Sequence, residues 1–259
     1  MLPKRGQMVI ALANQKGGVG KTTVTTMLAS ALSLSGHETL VVDADPQASA
    51  TRVVGIDPSE RISMADVMLD PGSYTLSDAI ATTAWGFDLV PSEIALARKD
   101  RIRDTGDEHV LRKQLEALAG YDMVLVDAPP SLGIMTINSL AAADRLLIVT
   151  EPGYLALSGM GDLLETVDTV NEHLRPIEVG GVIVNMVDGT QETARRVEEI
   201  RSYFGQDLVW EPAVPRRTVI REAIGHGLPL HELGKQKGAA DIAELFERLA
   251  ERALANVPA

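Results

Sequence analysis

Along the chain, two kinds of hydrophobic pattern alternate. Short apolar or β-branched runs occur at Met8–Ala13 and at residues 39–42, 87–90, 123–126, 146–149 and 179–184. They show no polar alternation, which is the pattern of strands covered on both faces. Between them, apolar residues recur at helical spacing over residues 22–35, 108–118, 156–174, 192–204, 219–224 and 239–255, with Gly36 and Gly205 placed to stop two of these helices. The pattern predicts an α/β fold: a mostly parallel, twisted sheet with helices on both faces. Residues 52–103 are the least regular stretch, because Pro58, Pro71, Gly72 and Gly86 divide them into short helical pieces.

Composition narrows this picture. A chain of 259 residues, 45% of them apolar, can bury the core of one large domain, with residues 1–7 expected to form a flexible tail. The chain contains no cysteine, which excludes disulfides, thiolate-held iron–sulfur clusters and cysteine nucleophiles. Its five histidines show no metal-binding spacing. No uninterrupted apolar stretch of about 18 residues occurs and the first residues, MLPKRGQ, lack a signal-peptide core, so a soluble cytoplasmic protein is expected. A net charge of −12 argues against nucleic-acid binding by the surface at large, leaving only a local basic patch for that role.

Three motifs carry chemistry. Residues 15–23 read QKGGVGKTT. Gly17, Gly18 and Gly20 let backbone N–H groups approach a polyphosphate, and the backbone at Val19 belongs to the same cradle. Lys21 can reach the β- and γ-phosphates, Thr22 can ligate Mg²⁺, and Thr22 and Thr23 open a helix whose N-terminus favours an anion. The apolar run before this loop and the helical pattern after it supply the strand–loop–helix context of a P-loop NTPase. The second motif, Val42-Asp43-Ala44-Asp45-Pro46, places two carboxylates at a strand's carboxyl end, where open α/β sheets bind ligands. In an extended chain the two share a face, so Asp43 could support the metal and Asp45 orient the attacking water, although a solvated turn is the alternative. In the third, residues 124–130 (VLVDAPP), an apolar strand ends in Asp127, placed to hold a Mg²⁺-bound water. The stiff loop that follows could sense the terminal phosphate.

The two-lysine loop KGGVGKTT, the DADPQ turn, the VDAPPS loop and the later PRR-x4-EA-x2-HG-x-P segment together resemble the ParA/Soj family of partition ATPases, in the same order and over nearly the whole chain. The resemblance implies ATP and Mg²⁺ as cofactors and an ATP-bound homodimer in which Lys16 crosses the interface to the partner's phosphates. That lysine would act as an arginine finger does, tying hydrolysis to dimerisation. The resemblance also implies adenine contacts at Asn185 and Pro215, with a cap on the following loop as the other role open to Asn185. A ParB-like activator, nucleoid association and a cargo such as a chromosome origin, a plasmid or a protein assembly are further implications.

Arginines cluster at Arg216, Arg217 and Arg221, and again at Arg195, Arg196 and Arg201. They are candidates for meeting DNA phosphates without reading bases. Arg195 with Glu199, and Arg221 beside Glu222, allow the plainer reading of a solvated, ion-paired face. In the family the first group's loop faces DNA in the dimer, which favours binding there; a dimer would double such a patch. With few residues before the first strand, no operator-reading extension is expected. The nearest alternative is a MinD-like ATPase cycling on membranes. Against it, the C-terminal helix carries Asp241, Glu244, Glu247 and Glu251 on its polar face, which an anionic bilayer would repel, and no membrane partner is expected. Nitrogenase-type iron proteins and iron–sulfur carriers need cysteines, and bacterial tyrosine kinases need a tyrosine-rich tail; the chain has neither.

Overall fold

The computed structural model describes residues 6–102, 104–153, 156–234, 236 and 238–255, with only the backbone of residues 156–159. Of the expected tail, residues 1–5 lie outside this description. The strands are β1 (Met8–Ala13), β2 (Thr39–Asp43), β3 (Ala81–Thr82), β4 (Asp88–Val90), β5 (Met123–Asp127), β6 (Arg145–Thr150) and β7 (Glu178–Val184). They form one seven-stranded sheet in the order β3-β4-β2-β5-β1-β6-β7. All neighbours are parallel except β3, which pairs antiparallel with β4 at one edge.

The helices are α1 (Lys21–Leu34), α2 (Ser49–Val53), α3 (Met64–Leu69), α4 (Leu76–Ala79), α5 (Val110–Ala117), α6 (Ile134–Ala142), α7 (Ala156–His173), α8 (Gln191–Phe204), α9 (Thr218–His226) and α10 (Ala239–Ala255). Side chains of β1 alternate between two cores, as the strand period of two requires. Val9, Ala11 and Ala13 meet the helices α3, α5, α6, α7 and α8. Met8, Ile10 and Leu12 meet α1, α9 and α10 on the other face. The apolar stripe of α10, including Ile242, Phe246 and Leu249, is buried in this second core, where the helix packs on α1.

Two elements, α6 and β3, lie outside those the sequence predicts. No helical period marks the residues between Gly133 and β6, yet α6 begins at Ile134, and nearly all of its residues are buried. A helix covered all round has no amphipathic period to detect. Residues 52–103 hold the short α3 and α4 and the two-residue β3, with capping boxes at Ser63/Asp66 and Thr75/Asp78 starting the helices.

Register decides where the chemistry converges. Asp127 at the end of β5 is level with Asp43 on one neighbour and Leu12 on the other. The carboxyl ends of β2, β5, β1 and β6 therefore form one edge, and every motif of the sequence lies along it.

Candidate active site

Residues 14–20 link β1 to α1. Gly20 precedes the helix with φ of 87°, and no side chain caps the N-terminus, which also carries no acidic residue in its first turn. The bare N–H groups and the helix dipole thus face the loop, ready for an anion. Gly20 must be glycine on two counts: φ is left-handed, and a Cβ would overlap the side-chain nitrogen of Asn185.

Asn14 braces the loop from beneath. Its side chain donates to the Val149 carbonyl at 2.8 Å and accepts from the Lys16 N–H at 2.9 Å, while its own carbonyl accepts from Lys21 Nζ at 3.1 Å. Burial pushes the Lys21 ammonium below the usual lysine range, opposed by the charges of Asp127 and Asp45. Lys21 is therefore held by a neutral carbonyl, its charge poised for phosphate.

Thr22, at the head of α1, donates to Asp127 Oδ2 at 2.6 Å, and Thr25 one turn later reaches Asp127 Oδ1 at 3.3 Å. The Thr22 hydroxyl and the Asp127 carboxylate are thus side by side. Asp43 ends β2, at the carboxyl edge where the sequence places it. It is fully buried, with Oδ2 accepting from the Thr51 N–H at 2.9 Å and the Thr51 hydroxyl at 2.7 Å, and Oδ1 accepting from the Asp45 N–H at 3.2 Å. Its oxygens are engaged in shaping the turn after β2, and the carboxylate that accepts from the Thr22 hydroxyl is that of Asp127. Asp45 is past the strand end rather than extended along it, in a turn closed by the Ala48 N–H on its carbonyl at 2.8 Å.

Burial, first of all, raises the pKa of Asp43 and of Asp127 well above the usual carboxylate range, and each carboxylate lies in the field of another acid. Two such groups favour an added cation. Among the described residues no cluster of three or more His, Asp or Glu side chains could hold a metal by itself. One carboxylate and one hydroxyl fit a Mg²⁺ that keeps its waters and takes its remaining oxygens from phosphate.

Lys16 folds back on its own chain: Nζ meets Glu151 Oε1 at 2.6 Å, and the lysine is 38% exposed. Glu151 follows β6, the strand beside β1. Nothing in the sequence singled out this glutamate, nor Asn14 or Thr51; their one signal is a position just past a strand's end, for Asn14 and Glu151, or in the short α2, for Thr51.

The base end lies further along. A cavity of about 320 Å³ is lined by Thr23, Asn185, Met186 and Pro215 together with Arg216, Arg217 and Arg221. Asn185 is buried and donates to the Val19 carbonyl at 2.8 Å, so it locks the phosphate loop from behind while facing this cavity. Arg217 is the extended residue before α9 and not its first turn, and Arg221 lies within the helix. The three arginines are exposed and form no ion pair among the described residues. Arg195 and Arg196 behave otherwise. They bridge Glu192 and Glu199 along α8, Arg196 at 2.8 Å to each, so that face is an ion-paired one and the free cationic group is at the start of α9.

The whole cleft is organised around an anion entering at the bare end of α1, and this places the chain among the phosphate-loop nucleoside triphosphatases. A family profile described as AAA domain matches residues 7–178. The sporulation initiation inhibitor protein Soj of Bacillus subtilis is 36% identical over 255 residues, covering 96% of this chain and 98% of Soj. The chromosome partitioning protein ParA of Caulobacter vibrioides is 35% identical over 231 residues, covering 86% and 85%. Among solved structures, cobyrinic acid a,c-diamide synthase from Mycobacterium smegmatis with bound ATP analogue and magnesium superposes with a TM-score of 0.82 at 30% identity, over 96% of this chain and 94% of that one. The chain belongs to the ParA/Soj family of partition ATPases.

Proposed function

We propose that this protein is a Mg²⁺-dependent ATPase whose ATP-bound homodimer binds DNA without reading sequence, and whose hydrolysis, stimulated by a ParB-like activator, positions a cargo along the nucleoid. The observation that carries the reading is the two-lysine loop at the bare end of α1, with Thr22 and Asp127 joined beside it. Lys21 would bind the β- and γ-phosphates, and Thr22 and Asp127 would hold the metal. Magnesium, when bound, neutralises charge between those phosphates. Asp45 would orient the attacking water, with Asp43 and Thr51 fixing its turn.

Lys16 would leave Glu151 to reach the partner's triphosphate. An ion pair this exposed contributes only about 0.2–1 kcal/mol. A triphosphate carries more negative charge than one carboxylate, which favours the exchange once a second protomer presents its phosphates. Adenine would occupy the cavity at Asn185 and Pro215, and Arg216, Arg217 and Arg221 at its rim would meet DNA phosphates. The curated relatives named for chromosome partitioning support the cellular role. The MinD-like membrane reading is disfavoured because the apolar stripe of α10 is already buried against α1.

The test is sedimentation with DNA or with anionic liposomes, in ATP, ADP or no nucleotide, alongside light scattering with a non-hydrolysable analogue. DNA retention and a dimer, both specific to the triphosphate, are expected; Lys16→Ala should lose the dimer or its turnover while still binding nucleotide. A monomer under saturating analogue, or liposome binding in place of DNA, would sink the proposal.

A further inference from the structure

A cavity larger than the one at Asn185 lies outside the nucleotide cleft. A groove of about 630 Å³ runs between α6 and α7, closed at one side by the turn before α5. From α7 it receives Asp162, Glu165, Thr166, Thr169, Val170 and His173, which are spaced by three or four residues and so form one helix face lining the groove. That face is roughly 17 Å long at the α-helical rise. Apolar side chains make the floor: Ile134, Ile137 and Leu174, with Leu132 left 40% exposed at one end.

The rim is acidic on both sides, with Asp104 and Glu108 facing Asp162 and Glu165, and no lysine or arginine lines the groove among the described residues. The wall is rigid. Lys99 anchors Asp107 at 2.7 Å in a buried pair, Asp107 takes the Asp104 N–H at 2.7 Å, and the buried Asn138 of α6 donates to the Asp107 carbonyl at 2.9 Å. The floor is also joined to the active site. Asp100 accepts from the Ile134 N–H at 3.0 Å and lies so close to Gly133 that a Cβ there would collide with it. Leu132 and Gly133 belong to the loop that leaves Asp127.

We infer that this groove docks a cationic amphipathic helix of a partner polypeptide, its apolar side on Leu132, Ile137 and Val170 and its lysines or arginines between the two acidic rims. Apolar floor and paired acidic rims match an amphipathic helix laid in a groove. The occupant would press on the loop leading from Asp127 and so bear on turnover; that consequence, unlike the docking, rests on the ATPase reading above.

The probe is a fluorescein-labelled 14-residue peptide with leucine on one helical face and lysine on the other, titrated into the full chain by anisotropy at moderate salt. Asp162→Lys with Glu165→Lys should weaken binding at least tenfold, and Leu132→Ser about threefold. Glu244→Lys with Glu247→Lys, on the exposed face of α10, should change it less than twofold. Hydrogen exchange should slow at residues 132–137 and 162–170. Equal losses from both charge reversals, protection elsewhere, or no binding at millimolar peptide would overturn the inference. Groove binding with ATP turnover unchanged would leave the docking standing and count against the activator reading.

Discussion

The two ends of the cleft are built differently. At the phosphate end three functional groups are held by buried partners: Lys21 by the Asn14 carbonyl, Thr22 by Asp127, and Asp43 by Thr51. At the base end the cavity is walled by exposed arginines at the start of α9, and Asn185 is its one buried polar anchor among the lining residues. Chemistry on a triphosphate needs groups held in place before the substrate arrives, whereas the surface proposed to meet DNA and a purine can be adjustable. Asn185 belongs to both ends, because its side-chain nitrogen holds the Val19 carbonyl of the phosphate loop.

Substitutions can break this contrast in a graded way. Lys21→Ala should have the largest effect, with turnover falling on the order of 100-fold or more, as for loss of one fixed transition-state donor, measured by phosphate release. Phe246→Ala, in the core between α10 and α1, should cost about 3–5 kcal/mol of stability by denaturant unfolding. If nucleotide affinity of the folded fraction survives that change, the phosphate loop is held by its own hydrogen bonds rather than by the packing under α1.

Asn185→Ala should cost about 1–3 kcal/mol, the loss expected when the Val19 carbonyl is left buried without its donor, and should weaken a fluorescent ATP analogue by roughly tenfold. Unchanged affinity would separate the two ends that Asn185 is argued to join. The smallest effect on nucleotide is expected from Arg217→Glu with Arg221→Glu, within about threefold by the same titration. Those variants should nonetheless lose DNA retention and lower the salt slope of DNA binding by about one per phosphate contact removed. A normal slope would move the DNA surface elsewhere.

Much of the phosphate end was legible before the fold was known. Strands β1, β2 and β5 are continuous apolar runs that end at the loop or at an acid, and β1 has the bounds its run predicted. The residues alone allowed an ion-paired reading of both arginine groups, Arg195 with Glu199 and Arg221 beside Glu222, and the fold realises it along α8. Helix α6 escaped notice because burial on all sides erases the period that marks a surface helix. Glu151 and Thr51 are unremarkable residues until β6 and the turn after β2 carry them to Lys16 and Asp43.

By itself, then, the sequence determined the class of fold, the anion-binding loop and the acids that end the strands, since each depends on residues close together in the chain. Tertiary structure decided which acid stands beside Thr22, what holds Lys16 in a single protomer, and that Asn185 and the α9 arginines border one cavity. Those outcomes depend on strand order and register, which bring side chains more than a hundred residues apart within hydrogen-bond reach.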